Sequence, residues 1–225
     1  MLNIVQDIDS RVAIRRVLIS VSDKTGLDSF IPALLEACPD VILYSTGGTF
    51  ATIRALLKPE QEKQLVAVSD YTGQPEMQGG LVKTLDFKIY LGILSETYNA
   101  AHQDDLQRLD AIALDMVVVN LYPFKHTVAL PGVTAEQART NIDIGGPCMV
   151  RASAKNFLRV ASVTDPLDYG RLVKELKETH GTIGLETRFY LMKKSFAHTA
   201  DYDTAIASFF AKTAIDSVQK IYRLH

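Results

Sequence analysis

A unit of apolar strand, polar loop and helix occurs twice near the start of the chain, and it constrains the fold more than any other feature. Val17 to Val21 is a continuous apolar run that is followed by S-D-K-T-G and by helical apolar spacing over 28–38. Val41 to Tyr44 is a second run, followed by S-T-G-G-T and a predicted helix over 49–57. Such repetition is typical of right-handed crossovers between parallel strands. The sequence therefore predicts an α/β fold with a mainly parallel sheet and helices on both faces.

The two polar loops are expected to meet at one edge of this sheet. In parallel sheets, ligands bind beyond the carboxyl ends of the strands. Hydroxyl groups, small residues with accessible backbone N–H groups and one lysine, Lys24, are the components of a phosphate site. Neither loop has the GxxxxGK[ST] or GxGxxG spacing of ATP or dinucleotide sites. The loops predict a phosphate-binding edge of another kind, with ordinary Gly/Ser/Thr turns as the alternative.

Residues 142–156, I-D-I-G-G-P-C-M-V-R-A-S-A-K-N, combine an acid, a glycine hinge and two cations. The Gly-Gly-Pro sequence indicates a loop that enters a helix, whose first N–H groups suit an anionic or carbonyl oxygen. Asp143 lies just before that helix. Arg151 and Lys155 are four residues apart and share a helix face. The segment predicts a catalytic turn, although an Arg–Lys pair is also typical of a solvated face.

The rest of the chain extends the α/β pattern. We expect strands at 65–68, 89–94, 116–120 and 159–163, a short amphipathic turn at 104–109, and a helix capped by Thr134. A charged helix is predicted from Asp165 through Lys177, and helical spacing over 185–212 is split near T-A-D-Y-D. Residues 1–14 are predicted to be a loosely attached arm, 15–212 a single domain with a C-terminal helical extension, and 213–225 a tail.

Composition excludes several classes of function. Lys and Arg number 24 against 26 Asp and Glu, so the net charge of −2 gives no basic field for nucleic acid. Cys38 and Cys148, the two cysteines, are too few for a disulfide framework or a CxxC metal site, and we expect both to be buried thiols. No apolar run approaches the roughly 20 residues that span a bilayer. We expect a cytoplasmic protein with no membrane or nucleic-acid partner.

Several motifs occur in a fixed order from about Arg16 to Phe210. They are S-V-S-D-K-T-G-L, S-T-G-G-T, Y-T-G-Q-P-E-M-Q-G-G, V-K-T-L, N-L-Y-P-F, I-D-I-G-G-P, R-A-S-A-K-N and K-K-S-F-A-H-T-A-D-Y-D-T-A-I. Together they resemble the IMP cyclohydrolase domain of the bifunctional AICAR formyltransferase/IMP cyclohydrolase family. The resemblance implies a methylglyoxal-synthase-like sheet, a homodimer, a nucleotide substrate (formyl-AICAR or IMP), and no metal or cofactor. We expect the transformylase part to lie outside this chain.

The family reaction closes a purine ring with loss of water, and the motifs imply a role for individual residues. Asp143 is expected to orient or deprotonate the amide, Lys83 and Lys155 to donate to the formyl oxygen, and Tyr122 to donate beside them. Backbone N–H groups near Gly145 and Gly146 complete the expected oxyanion site. The expected substrate-binding residues, which include those for the 5'-phosphate, are Ser20, Ser22, Lys24, Thr25, Ser45, Gly47, Gly48, Thr49, Thr84, Asn120, Gly145, Gly146 and Arg151.

The sequence departs from the family pattern beside V-K-T-L. Leu81 stands where the family usually has arginine, Asp86 and Tyr90 where it has histidine, and Phe87 where it has proline. Two interpretations follow: a working cyclohydrolase, or a scaffold repurposed to bind or act on another phosphorylated, nucleotide-like ligand. A methylglyoxal synthase activity would leave the long cyclohydrolase motifs unexplained.

Overall fold

A five-stranded parallel sheet forms the centre of the fold in the computed structural model, which describes residues 4–74 and 84–223. Its strand order is β4-β3-β2-β5-β6, and β1 and β7 form a separate antiparallel pair. The strands are β1 (Arg11–Ala13), β2 (Arg16–Val21), β3 (Ile42–Ser45), β4 (Leu65–Ala67), β5 (Met116–Asn120), β6 (Ala161–Val163) and β7 (Thr182–Gly184).

Helices cover both faces of the sheet. They are α1 (Leu27–Ala37), α2 (Gly47–Leu56), α3 (Val68–Thr72), α4 (Phe87–Leu94), α5 (Ala100–Arg108), α6 (Phe124–Val128), α7 (Ala135–Thr140), α8 (Gly145–Lys155), α9 (Tyr169–Glu178), α10 (Leu185–Ala211) and α11 (Ile215–Gln219). Two 3-10 turns, Pro59–Gln64 and Pro166–Asp168, precede β4 and α9.

The central strand β2 is buried on both faces, as its mainly apolar sequence predicts. Val17, Leu18 and Ile19 are each 0% exposed. Val17 and Ile19 belong to the core that contains Phe30 of α1, whereas Leu18 belongs to the core that contains Met149 of α8. Successive side chains of a strand point to opposite faces, so one apolar run supplies two cores. The predicted fold class is confirmed.

The strand order reverses at β2, and this reversal positions the site. From β2 the chain moves outward through β3 and β4, then returns to add β5 and β6 on the other side. In the parallel ladder between β2 and β5, Val21 pairs with Asn120. A crevice forms where loops leave two adjacent strands in opposite directions. The loops after β2 and β5 flank this crevice.

Several predicted elements differ in the structure. The apolar run at 89–94, predicted as a strand, is part of helix α4, because Ile89 and Ile93 are four residues apart and both pack into the core. Asp86 caps this helix by accepting a hydrogen bond from the backbone N of Lys88 at 2.8 Å. The predicted split near T-A-D-Y-D is also wrong, because α10 is continuous. Asp201 pairs with Lys125 of α6, and Tyr202 accepts a hydrogen bond from Asp143 before α8; neither residue ends the helix.

The strand predicted over 159–163 is shorter, because Arg159 has another role. Its buried guanidinium donates to the backbone carbonyls of Gly92, Ser95 and Leu114, and the strand begins at Ala161. The predicted turn at 104–109 is part of the longer helix α5.

The chain termini and one cysteine also depart from expectation. Residues 11–13 of the predicted loose arm pair with β7, and Ile14 is 3% exposed, so this part of the arm is firmly attached. In the predicted tail, the Tyr222 hydroxyl contacts the Glu136 carboxylate. Both cysteines are free thiols as predicted, but Cys148, in the first turn of α8, is exposed. The division into arm, domain and tail stays a prediction.

Candidate functional site

A cavity of about 320 Å³ lies at the carboxyl ends of β2, β3 and β5. The loops after these strands and the first turns of α2 and α8 form its walls. Most of the residues that the sequence analysis assigned to the site line this one cavity. They are Ser20, Ser22, Lys24, Gly47, Gly48, Thr49, Thr84, Asn120, Tyr122, Asp143, Gly145 and Gly146.

One wall of the cavity is suited to an anion. Helix α2 begins at Gly47, and its N-cap Thr46 makes no side-chain cap, so the first backbone N–H groups of α2 have no partner within the helix. The Nζ of Lys24 lies 3.9 Å from the position of a Cβ on Gly48. This ammonium group contacts the carbonyls of Val21 and Ser22, and within residues 4–74 and 84–223 no carboxylate is within 4.0 Å of it. A helix N-terminus and a lysine ammonium group therefore meet at one point.

Asn120 braces the loop that carries Lys24. Its Oδ1 accepts hydrogen bonds from the backbone N of Ser22 at 2.7 Å and of Asp23 at 2.9 Å, and its Nδ2 donates to the carbonyl of Asp23 at 2.7 Å. The buried hydroxyl of Thr49 adds a second brace, accepting from Val21 N and donating to Val21 O. Both side chains were predicted to bind substrate, and in the structure both hold the cavity wall in shape.

Asp143 lies at the opposite wall, in a tight turn before α8. Its Oδ1 accepts a hydrogen bond from Gly146 N at 2.8 Å, so this N–H of the predicted oxyanion site is already used. Its backbone N donates to the Tyr202 hydroxyl at 2.9 Å. Burial raises the pKa of the Asp143 carboxyl, while the backbone N–H groups of Gly146 and Tyr122 lower it in part. A carboxylate in such surroundings is a stronger base than one in water.

The two glycines of α8 permit close packing around Asp143. A Cβ on Gly145 would lie 2.8 Å from Thr84 Oγ1, and a Cβ on Gly146 would lie 2.7 Å from Leu121 Cδ2 and would also collide with the Asp143 carboxylate. Side chains larger than hydrogen do not fit at these distances. Glycine at these two positions therefore allows Thr84, Leu121 and the Asp143 carboxylate to lie close to the backbone of α8.

Four of the predicted site residues do not line the cavity. Ser45 is buried and donates to Ile19 O at 2.8 Å, and Thr25 donates to Asp23 Oδ1 at 2.7 Å. The guanidinium of Arg151 lies 5.6 Å from the Phe196 ring centroid. Lys155 is exposed at the last residue of α8, whereas the cavity is at the first. Lys83, predicted to be catalytic, lies outside the described residues, as does Leu81.

Asp86, Phe87 and Tyr90, the other residues that differ from the family pattern, do not line the cavity. Asp86 is engaged as the cap of α4, and Phe87 is 67% exposed. Tyr90 is partly buried, and burial, with the nearby Cys148 and Asp143, raises its pKa. The negative charge that Asp86 adds is thus directed at the start of α4 and does not line the anion-binding wall.

Some lining residues were missed. Thr46 lies within the S-T-G-G-T motif and its Oγ1 is 3.3 Å from Ser20 Oγ, so the motif alone was a sufficient signal. Ile142, Ile144 and Met149 line the wall near Asp143. Ile144 is 55% exposed, and its apolar side chain carries no chemical signal in the sequence.

Comparison with known families supports the interpretation from the motifs. Residues 27–148 match the model of the MGS-like domain. The chain belongs to the MGS-like domain family. Residues 153–225 match the model described as AICARFT/IMPCHase bienzyme, so the MGS-like domain and the segment after it both agree with the predicted resemblance, which is confirmed.

Individual relatives of this MGS-like chain agree. It is 43% identical over 203 residues to the bifunctional purine biosynthesis protein PurH of Ruminiclostridium cellulolyticum, and 46% identical over 197 residues to that of a Synechococcus species. These matches cover 90% and 88% of this chain but 38% and 37% of the relatives, so the chain spans less than half of their length. A solved structure titled crystal structure of ForH matches with a TM-score of 0.72 at 28% identity, covering 88% of this chain and 100% of that one.

No described helix is long and apolar enough to cross a membrane. In the same part of the chain, no group of three or more His, Cys, Asp or Glu side chains is arranged to hold a metal ion.

Proposed function

We propose that this chain closes the purine ring of formyl-AICAR to give IMP, with loss of water. The observation that carries the proposal is a cavity with a wall suited to an anion at Lys24 and α2 and a partly buried carboxylate, Asp143, at the opposite wall. A nucleoside 5'-phosphate has the matching polarity, with a charged end and a reactive heterocycle. The similarity to PurH proteins and to the bienzyme model supports this substrate.

In the proposed reaction the carboxamide nitrogen attacks the formyl carbon of the same molecule. A C–N bond forms and the C–O bond of the former formyl group breaks. The carboxamide nitrogen and the formamide nitrogen each lose one proton, and the oxygen departs as water with two protons. Asp143 accepts the proton from nitrogen, and Tyr122 and Lys83 donate toward the oxygen. Holding the carboxamide and formyl groups of one molecule in contact supplies much of the acceleration. The cavity wall at Lys24 and α2 contributes by fixing the phosphate end of the substrate.

Lys155 requires a different arrangement. It lies roughly 15 Å along α8 from Gly145, at about 1.5 Å per residue, and its side chain is exposed. Its predicted role as a donor therefore needs a second subunit that presents it to this cavity, in line with the predicted homodimer. Mixed dimers of Lys155→Ala and Asp143→Asn chains test this arrangement. Activity that reappears on mixing supports it, and continued inactivity contradicts it.

The second interpretation, a repurposed scaffold, is not favoured. Asp86 caps α4 and Phe87 is exposed, so neither adds an obstacle to the cavity. The proposed function implies a role in purine biosynthesis and, as predicted, a place in the cytoplasm.

Ring closure of formyl-AICAR, followed by ultraviolet absorbance, tests the proposal. The wild-type chain is expected to turn over, and Asp143→Asn is expected to lower kcat by about 100- to 10,000-fold because it removes the base. Asp104→Asn, an exposed change on α5, serves as the matched control and leaves kcat unchanged. A folded wild-type chain without turnover, or equal rates for both variants, contradicts the proposal.

A further inference from the structure

The C-terminal motif K-K-S-F-A-H-T-A-D-Y-D-T-A-I lies on α10, and sequence analysis gives none of its residues a role. Tyr202, within this motif, is 6% exposed. Its hydroxyl accepts a hydrogen bond from the backbone N of Asp143 at 2.9 Å and donates to the carbonyl of Asn141 at 3.2 Å. The Tyr202 hydroxyl is thus hydrogen-bonded to the backbone at both ends of the segment from Asn141 to Asp143.

We propose that Tyr202 is the positioning residue for Asp143. The inference rests on the proposed function, in which Asp143 is the base. The Asp143 carboxylate is fixed on one side by Gly146 N, and the Tyr202 hydroxyl fixes the backbone on the other side. A base that is held at both ends keeps its distance to a bound amide, and a shift of about 1 Å in such a group lowers rates about 100-fold.

The ring of Tyr202 also reaches the wall that carries Tyr122. Its centroid is 6.1 Å from that of Phe124, with an interplanar angle of 66°. Phe124 is 1% exposed and follows Tyr122 by two residues. Edge-to-face packing at this distance is favourable and directional. The side chain of Tyr202 therefore sets the spacing between the Tyr122 segment and the Asp143 turn.

The neighbouring residue of the motif makes a weaker link. Asp201 pairs with Lys125 of α6, with Nζ 2.6 Å from Oδ2, but these side chains are 64% and 58% exposed. Exposed ion pairs contribute little to stability because water and salt screen them. The buried hydroxyl of Tyr202 is the contact through which α10 acts on the site.

The test compares Tyr202→Phe with Tyr190→Phe. Both changes remove one hydroxyl from α10 and keep the ring; the Tyr190 hydroxyl donates to Asp168 Oδ1 at 3.3 Å, away from the cavity. For Tyr202→Phe we expect kcat to fall about 10- to 100-fold while KM changes less than about threefold, because the phosphate wall is untouched. Tyr190→Phe keeps both constants. Unchanged kcat in Tyr202→Phe overturns the proposal, as does a loss confined to KM.

Amide hydrogen exchange separates this proposal from the proposed function. In the wild-type chain without ligand, the Asp143 amide is expected to be protected, and Tyr202→Phe is expected to speed its exchange about fivefold by removing the acceptor. If the wild-type chain does not turn over, the proposed function fails and the exchange rates alone decide the role of Tyr202. The proposed role of Tyr202 is overturned if the Asp143 amide is unprotected in the wild type. It is also overturned if this amide is equally protected in Tyr202→Phe, even if that variant is unstable.

Discussion

The side-chain oxygen of Asn120 lies 2.7 Å from the backbone N of Ser22, across the point where the strand order of the sheet reverses. This hydrogen bond joins the ends of β5 and β2, whose loops form two walls of the cavity. The N–H groups of Ser22 and Asp23 are thereby used within the protein. The N–H groups in the first turn of α2, beside Lys24, are not used in this way and remain for a phosphate.

Removal of the Asn120 brace is expected to weaken substrate binding more than catalysis. Asn120→Ala leaves two N–H groups without their acceptor, which costs about 1–3 kcal/mol of stability and loosens the loop that carries Lys24. We expect KM to rise about tenfold and kcat to change less than about threefold. Steady-state kinetics and urea unfolding measure both effects. A KM equal to that of the wild type contradicts the assigned bracing role.

Replacement of Lys24 is expected to remove most of the salt dependence of nucleotide binding. The Lys24 ammonium has no carboxylate partner within the described residues, so its charge is available to a phosphate. A hydrogen bond to a charged group contributes about 1.5–3 kcal/mol, so Lys24→Met should weaken IMP binding about 10- to 100-fold. Titration calorimetry at low and high salt measures this. Lys174→Met, an exposed change on α9, is the control and should bind IMP as the wild type does.

Gly146→Ala is expected to inactivate the site, because its Cβ collides with Asp143 and lies 2.7 Å from Leu121 Cδ2. We expect a loss of about 1–3 kcal/mol in the free energy of unfolding and about 100-fold in kcat. Gly170→Ala is the matched control, since a Cβ there meets no atom within 4 Å. It should gain up to about 1 kcal/mol and keep full activity. Equal kcat values for the two variants would show that Asp143 tolerates displacement.

The raised pKa of Asp143 predicts a pH-dependent stability difference. Burial is the main cause of the raised pKa, so the folded state keeps the Asp143 proton at pH values where the unfolded chain has lost it. The stability that this proton contributes is present below the ordinary value of 3.8 and is lost as pH rises through the folded-state pKa. Asp143→Asn lacks this titration.

Urea unfolding of the wild type and of Asp143→Asn between about pH 3 and pH 7 checks this sign. The wild-type free energy of unfolding, relative to that of the variant, should decrease with rising pH. A relative stability that is constant or increases with pH would mean that Asp143 is not in an environment that disfavours its charge.

The sheet and the grouping of the polar loops at its edge were predictable because local sequence patterns indicate them. Val17–Val21 is apolar at four of its five positions, so it identifies a strand buried on both faces, and the polar residues after it must then lie at the sheet edge. The helix at 89–94 was not predictable in this way. A short apolar run fits a buried strand or a buried helix, and the Asp86 cap decides between them.

Contacts between residues that are distant in sequence could not be predicted from local sequence patterns. Arg159 was assigned to a strand, because nothing in its neighbourhood shows that its guanidinium binds carbonyls from residues 92, 95 and 114. The polar residues of T-A-D-Y-D indicated a break in α10, whereas Tyr202 is buried against the turn of Asp143. In both cases the partner is distant in sequence, so no periodic pattern reports it.

A crystal structure of the chain with IMP would decide where the nucleotide binds and which group faces Asp143. We expect one IMP in the cavity, with its phosphate within hydrogen-bond distance of Lys24 Nζ and the first-turn N–H groups of α2, and with its six-membered ring beside Asp143. Phosphate density at this wall with the ring directed away from Asp143 would contradict the catalytic assignment. IMP bound elsewhere, for example in the charged groove of Arg11 and Lys174, would contradict the assignment of the cavity itself.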